Sequence, residues 1–183
     1  MKKFKCCIPN IITFINLSLG MIAILLAVNG SSSSGNLVYS CLLIMLAAVT
    51  DRLDGKVARF FKVTSDFGKE LDSLSDLVSF GVAPVVVAWE ITFMHFGVLG
   101  YILSLLFALS GAYRLARFNI SNLDNVFMGL PITIAGTLLT ILNLYNYFAK
   151  INMRYTNSNG IFTAIILIFL SFLMVSRISI KKR

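Results

Sequence analysis

The 183-residue chain contains only eight acidic residues, and their placement is uneven. Six of them, Asp51, Asp54, Asp66, Glu70, Asp72 and Asp76, fall within positions 51–76, and only Glu90 and Asp124 lie elsewhere. Asp51, Asp54, Gly55 and Ala58 stand at i, i+3, i+4 and i+7, which is one face of a helix. Gly68, Asp72 and Asp76 stand at i, i+4 and i+8, again one face. If the two helices meet as an antiparallel pair, four carboxylates converge. Left alone they repel, and a hard divalent cation relieves that repulsion. All-oxygen donors, with no His or Cys close by, favour Mg²⁺, Mn²⁺ or Ca²⁺ over zinc or copper. Four carboxylates can hold two such ions about 4 Å apart, the arrangement used for phosphoryl displacement.

The small residues on the acidic faces permit a second reading. Gly55 and Ala58 let a flat group approach the helix backbone, with Arg59 beside them as a charge for phosphate. Equally, Gly55, Ala58 and Gly68 can serve close helix packing, as small residues do in membranes. For the aspartates the structural alternative is ion pairing with Arg52, Lys56 and Arg59, but ionisable groups near a bilayer are costly and mark functional sites by default.

The elements that position these residues are apolar helices. The chain is 57% hydrophobic and 13% charged, against roughly 25% charged in a soluble domain. Its net charge of +8 is that of many nucleic-acid binders, but the hydropathy excludes a chain standing free in water, and no nucleic-acid partner is expected. A span needs about 20 mostly apolar residues. Six stretches qualify, at approximately Ile8–Val28, Asn36–Ala58, Phe67–Trp89, Phe93–Phe118, Leu130–Ala149 and Gly160–Ile180. The expected fold is all-α, six transmembrane helices in one bundle, with residues 1–183 forming a single membrane domain. The basic start followed by an apolar run resembles a signal peptide, but no clean small-residue cleavage site follows, so a retained helix is expected. Cys6, Cys7 and Cys41 show neither metal nor disulfide spacing and read as ordinary thiols.

Orientation follows from the basic residues. Lys2, Lys3 and Lys5 precede the first span; Arg52, Lys56, Arg59, Lys62 and Lys69 surround the second connection; Arg114 and Arg117 end the fourth span; and Arg177, Lys181, Lys182 and Arg183 follow the sixth. Fourteen of the 16 cationic residues thus fall on one side, leaving Lys150 and Arg154 opposite. Both termini and the carboxylates are expected to be cytoplasmic, in the cell membrane of a prokaryote among membrane lipids. His95 falls on the other side, and Trp89, Tyr101 and Tyr113 fit interfacial belts.

Residues 51–76 read DRLDGKVARFFKVTSDFGKELDSLSD. This segment resembles the signature of the CDP-alcohol phosphatidyltransferase family, D-x-x-D-G-x-x-A-R, eight residues, then G-x-x-x-D-x-x-x-D, with Asp51, Asp54, Gly55, Ala58, Arg59, Gly68, Asp72 and Asp76 at its fixed positions. The resemblance implies that Asp51, Asp54, Asp72 and Asp76 ligate a dinuclear metal site and that Asp76 is also the general base. It implies contacts to the CDP-lipid from Gly55, Ala58, Arg59, Ser65 and Gly68, and from Asn10 and Thr13 in PNIIT. It also implies a homodimer. PNIITFINLSLG at 9–20, LDSLSDLVSFGVAP at 71–84, RLARFN at 114–119 and GLP at 129–131 are most similar to the small membrane-embedded members that use serine. The implied reaction is CDP-diacylglycerol, or an archaeal ether-lipid analogue, plus L-serine giving phosphatidylserine and CMP.

Serine is zwitterionic, so its carboxylate needs a cation. Arg114 and Arg117 lie on the expected side and share a helix face at i and i+3, with Asn119 a weaker candidate. Their alternative role is to anchor a helix end to anionic headgroups. Three other readings stay open at this point: a phosphorylated acceptor such as glycerol 3-phosphate or inositol phosphate, a divalent-cation transporter, and a lipid-binding membrane protein.

Overall fold

The computed structural model describes residues 2–30, 35–61, 66–120, 126–176 and 179–181, with side chains described for 10–30, 35–53, 66–120 and 129–176. Helix α1 is Lys2–Val28 and α2 is Asn36–Phe61. The third span is built in three pieces: α3 (Asp66–Asp76), a π-helical turn (Leu77–Val82) and α4 (Ala83–Ile91). Helix α5 is Val98–Ile120, α6 is Ile132–Ile151 and α7 is Asn157–Val175. A short ribbon pairs β1 (Val126–Met128) antiparallel with β2 (Ser179–Lys181), joining the α5–α6 connection to the C-terminal tail.

Among the described residues six stretches of helix are long and apolar enough to cross a membrane, and the chain is an integral membrane protein. The third span is the axis of the bundle: 61% of it is buried, against 22–44% of the other five. Large apolar side chains such as Leu25, Leu105 and Phe172 point outward, where only lipid can receive them.

The π turn follows from Pro84. Proline lacks an N–H and its ring clashes with the carbonyl four residues back, here that of Phe80. The helix widens instead, and the Ala83 N–H reaches the carbonyl of Val78. Two neighbouring helices approach the widened segment closely because each places a glycine there. A Cβ on Gly136 of α6 would collide with the Phe80 carbonyl and lie 2.8 Å from its Cα. One on Gly20 of α1 would lie 2.8 Å from the Cα of Ser79. Close packing of this kind drives helix association in lipid. It is reinforced by side-chain donors, with Ser75 Oγ bonding the Thr13 carbonyl at 3.2 Å, Ser79 Oγ the Asn16 carbonyl at 3.0 Å and Asn143 Nδ2 the Pro84 carbonyl at 2.8 Å.

Two span boundaries differ from the sequence expectation. Phe93 does not open the fourth span: Phe93–Phe96 form a 3-10 turn, Gly97 takes φ +56, and α5 begins only at Val98. Apolarity carries through this turn, so hydropathy ran the helix too far. Likewise α7 stops at Val175 rather than near Ile180, because Ser179–Lys181 is drawn into the ribbon.

Gly136→Val should therefore overpack the α6–π-turn contact, at a cost of about 1–3 kcal/mol, and lower the thermal midpoint of the detergent-solubilised protein by several degrees. Gly35→Ala is the control, since an added methyl there meets only the Tyr39 ring, at 3.4 Å, and should leave the midpoint unchanged.

Candidate functional site

Asp51 lies in the second half of α2, near the end of its apolar stretch Asn36–Leu53, while Asp72 and Asp76 sit on α3 in the same half of the bundle. Each of the three offers a carboxylate oxygen, and these oxygens lie within 4.8 Å of one another. The antiparallel meeting expected from the spacing is therefore present for three of the four aspartates. Asp54 lies in α2 one turn beyond Asp51, but its side chain falls outside the described residues, as do those of Gly55, Ala58 and Arg59. Ser65 lies outside the described residues entirely. Gly68 belongs to the first turn of α3. On α1, Asn10 is half-buried and Thr13 buried, and the Ser75–Thr13 bond holds this end of α1 against α3 directly beside Asp76.

Sequence reasoning missed Thr133. Its Oγ1 donates to Asp51 Oδ2 at 3.3 Å from the first turn of α6. The only available signal was its place two residues after the GLP turn. That turn is pinned: Gly129 takes φ +72, and the Leu130 N–H bonds the Leu173 carbonyl at 3.1 Å. The end of α7 thus fixes where α6 starts, and the start of α6 fixes Thr133.

The two candidate arginines separate. Arg114 is half-buried on α5, close enough for its charge to act on Asp76, and its Nε has no hydrogen-bond partner among the described residues. Arg117, one turn further, donates from Nη1 to the Val175 carbonyl at 3.3 Å. A cation at the C-terminal end of a helix meets both the orphan carbonyls and the dipole. Asn119 also has packing partners: its Nδ2 reaches Glu70 Oε2 and Ser73 Oγ, each at 3.1 Å, tying α5 to α3.

The donor set suits a hard divalent cation. It contains only carboxylates, three within reach of one ion, and Asp72 Oδ1 is buried with no hydrogen-bond partner among the described residues. Buried like charges so close are tolerable only when something positive is shared between them.

Comparison with known proteins agrees with this arrangement. A family model described as CDP-alcohol phosphatidyltransferase matches residues 6–175. The chain is 39% identical over 173 residues to the CDP-diacylglycerol–serine O-phosphatidyltransferase of Helicobacter pylori strain 26695, covering 93% of this chain and 70% of that protein. It is 40% identical over 175 residues to the protein of the same name from Methanocaldococcus jannaschii, covering 96% and 74%. To the archaetidylserine synthase of Methanothermobacter thermautotrophicus it is 33% identical over 174 residues, covering 93% and 68%.

Manganese titrated into the purified protein should raise its thermal midpoint, and Asp72→Asn should abolish that rise. Thr133→Val removes only the hydroxyl that orients Asp51. Loss of such an outer partner typically weakens metal affinity about 10–100-fold, so the titration should shift to correspondingly higher concentration while the metal-free midpoint stays put.

Proposed function

The chain belongs to the CDP-alcohol phosphatidyltransferase family, and we propose that it transfers the phosphatidyl group of CDP-diacylglycerol, or of an ether-lipid analogue, to the hydroxyl of L-serine, releasing CMP. The observation that carries this reading is the convergence of Asp51, Asp72 and Asp76, all from the family signature, at one end of two neighbouring spans. Names of relatives that use serine, with either lipid backbone, support the acceptor.

We assign Asp51, Asp54, Asp72 and Asp76 as ligands of two divalent cations, Mg²⁺ or Mn²⁺, which when bound supply positive charge to the pyrophosphate as CMP departs. Asn10, Thr13, Gly55, Ala58, Arg59, Ser65 and Gly68 hold the CDP-lipid. Asp76 accepts the serine hydroxyl proton as that oxygen bonds to the lipid-side phosphorus. The bond from this phosphorus to the CMP oxygen breaks at the same time, and CMP leaves with the electron pair. A carboxylate is a weak base, so the proton moves late, once the attacking oxygen has become acidic. Arg114 is the cation for the serine carboxylate: its charge lies beside Asp76, and its Nε has a donor to spare. The bond from Arg117 to α7 supports a packing role for that residue instead.

The site and both termini face the cytoplasm in this proposal, on the side with most of the basic residues. The β1–β2 ribbon supports that topology, since it places the α5–α6 connection and the C-terminal tail together. Asp51 lies two residues from the end of its apolar span and Asp72 in the first third of its own, with Asp76 one turn further in, a placement that suits a soluble acceptor arriving from water. A homodimer is part of the same proposal.

Purified protein with CDP-diacylglycerol and Mn²⁺ or Mg²⁺ should release CMP only when L-serine is added. Asp76→Asn should cut that rate by about 10²–10⁴-fold, the usual contribution of a positioned base, and chelation of the metal should stop it. CMP release with glycerol 3-phosphate or inositol phosphate but not serine would reassign the acceptor. Arg114→Lys, which keeps the charge but loses the fork, should raise the KM for serine about tenfold.

A further inference from the structure

Asn16 on α1 is completely buried, and neither its Nδ2 nor its Oδ1 has a hydrogen-bond partner among the described residues. A buried amide with both ends unmet is unfavourable, and a fold retains one where something else fills the need.

Two independent registers locate it. Along α1 and the third span, which run parallel, Ser75 bonds the Thr13 carbonyl and Ser79 bonds the Asn16 carbonyl. Asp76 lies between these two bonds. Along α1 and α2, which run antiparallel, Ser40 Oγ bonds the Ala23 carbonyl at 2.7 Å. Seven residues back from Ala23 is Asn16; seven forward from Ser40 is buried Ala47, with Asp51 about one turn beyond. By both counts the Asn16 backbone lies about one helical turn, roughly 5 Å, to the membrane side of the carboxylates. Helical side chains lean back toward the N-terminus of their own helix, and here that end of α1 is the carboxylate end. The amide is therefore carried up to the level of Thr13 and Asp76.

We infer that Asn16 forms the membrane-side floor of the acceptor subsite and reads the amino acid group of serine, its Oδ1 accepting from the ammonium and its Nδ2 donating to the carboxylate that Arg114 also binds. This rests on the serine reaction proposed above. An α-amino acid matches an amide whose donor and acceptor are both open, whereas a phosphate offers acceptors only and would leave Oδ1 unmet. Depth agrees, because the attacking hydroxyl must reach the phosphorus nearer the lipid, opposite the departing CMP. Sequence alone could have flagged this residue, since Asn16 is a lone amide in an apolar run, three positions after Thr13.

The test is CMP release by Asn16→Leu, varying serine and the CDP-lipid separately, with thermal unfolding measured in the absence of both. The expected result is a tenfold or greater rise in the KM for serine, a KM for the CDP-lipid within about twofold of wild type, and a thermal midpoint equal or raised, since an unmet buried amide has been replaced by apolar atoms. An unchanged serine KM, or an equal rise for both substrates, overturns the assignment. A lowered midpoint in both Asn16→Leu and the smaller Asn16→Thr also overturns it, by revealing a structural bond. If only the leucine variant is destabilised, Asn16→Thr carries the kinetic comparison, and an unchanged serine KM there is equally decisive against the role. Wild-type protein inert toward serine would sink the reaction itself, whereas an active wild type with a kinetically normal variant would sink only the role of Asn16.

Discussion

Three carboxylates with oxygens inside a 4.8 Å circle repel one another, and the rest of the bundle is best understood by what it does to keep them there. A soluble loop would relieve the repulsion by moving apart. Here Asp51 is fixed to one helix, and Asp72 and Asp76 to another, so separation would mean breaking the α1–α2–α3 packing. The neighbours supply compensation from two sides: the Thr133 hydroxyl from α6 and the Arg114 charge from α5. The cluster is thus a point of stored electrostatic free energy, and a bound divalent cation releases it. A cation held there would in turn present positive charge to an anionic ligand at the same place.

Rigidity at that end depends on how tightly the third span is held along its length. Gly20 and Gly136 admit their helices to backbone contact, and serine and asparagine side chains then donate to carbonyls across the gap. In lipid there is no hydrophobic gain from bringing helices together, so dispersion and these few hydrogen bonds carry the association. The carbonyls at the end of α7 are met from outside by the Leu130 N–H and by Arg117, which joins the last helix to the turn that launches α6.

The count of spans and the convergence of aspartates were legible in the sequence because each follows from a period: about 20 apolar residues for a span, three or four residues for a helix face. Both are local rules. Thr133 and the separation of Arg114 from Arg117 were not legible, since they depend on which distant helix lies opposite, and one sequence carries no pairing information. The 3-10 turn at Phe93–Phe96 escaped for a different reason: its residues are as apolar as the helices it joins, so composition gave no break, and only Gly97 marked one. The ribbon that shortens the last helix likewise involves residues that hydropathy counts as membrane.

The π turn between Leu77 and Val82 sets a fixed angle between the two halves of the third span. A π turn amounts to one extra residue lodged in an α-helix, and one residue is worth about 100° of rotation. Helix α3 therefore presents its aspartates on a different side from the one they would take on an uninterrupted α-helix running into α4, whose Val85, Val87 and Ala88 fill the core. The glycines of α1 and α6 press on the turn and lock that offset. One span thus faces two directions that a regular helix of the same sequence length could not serve together.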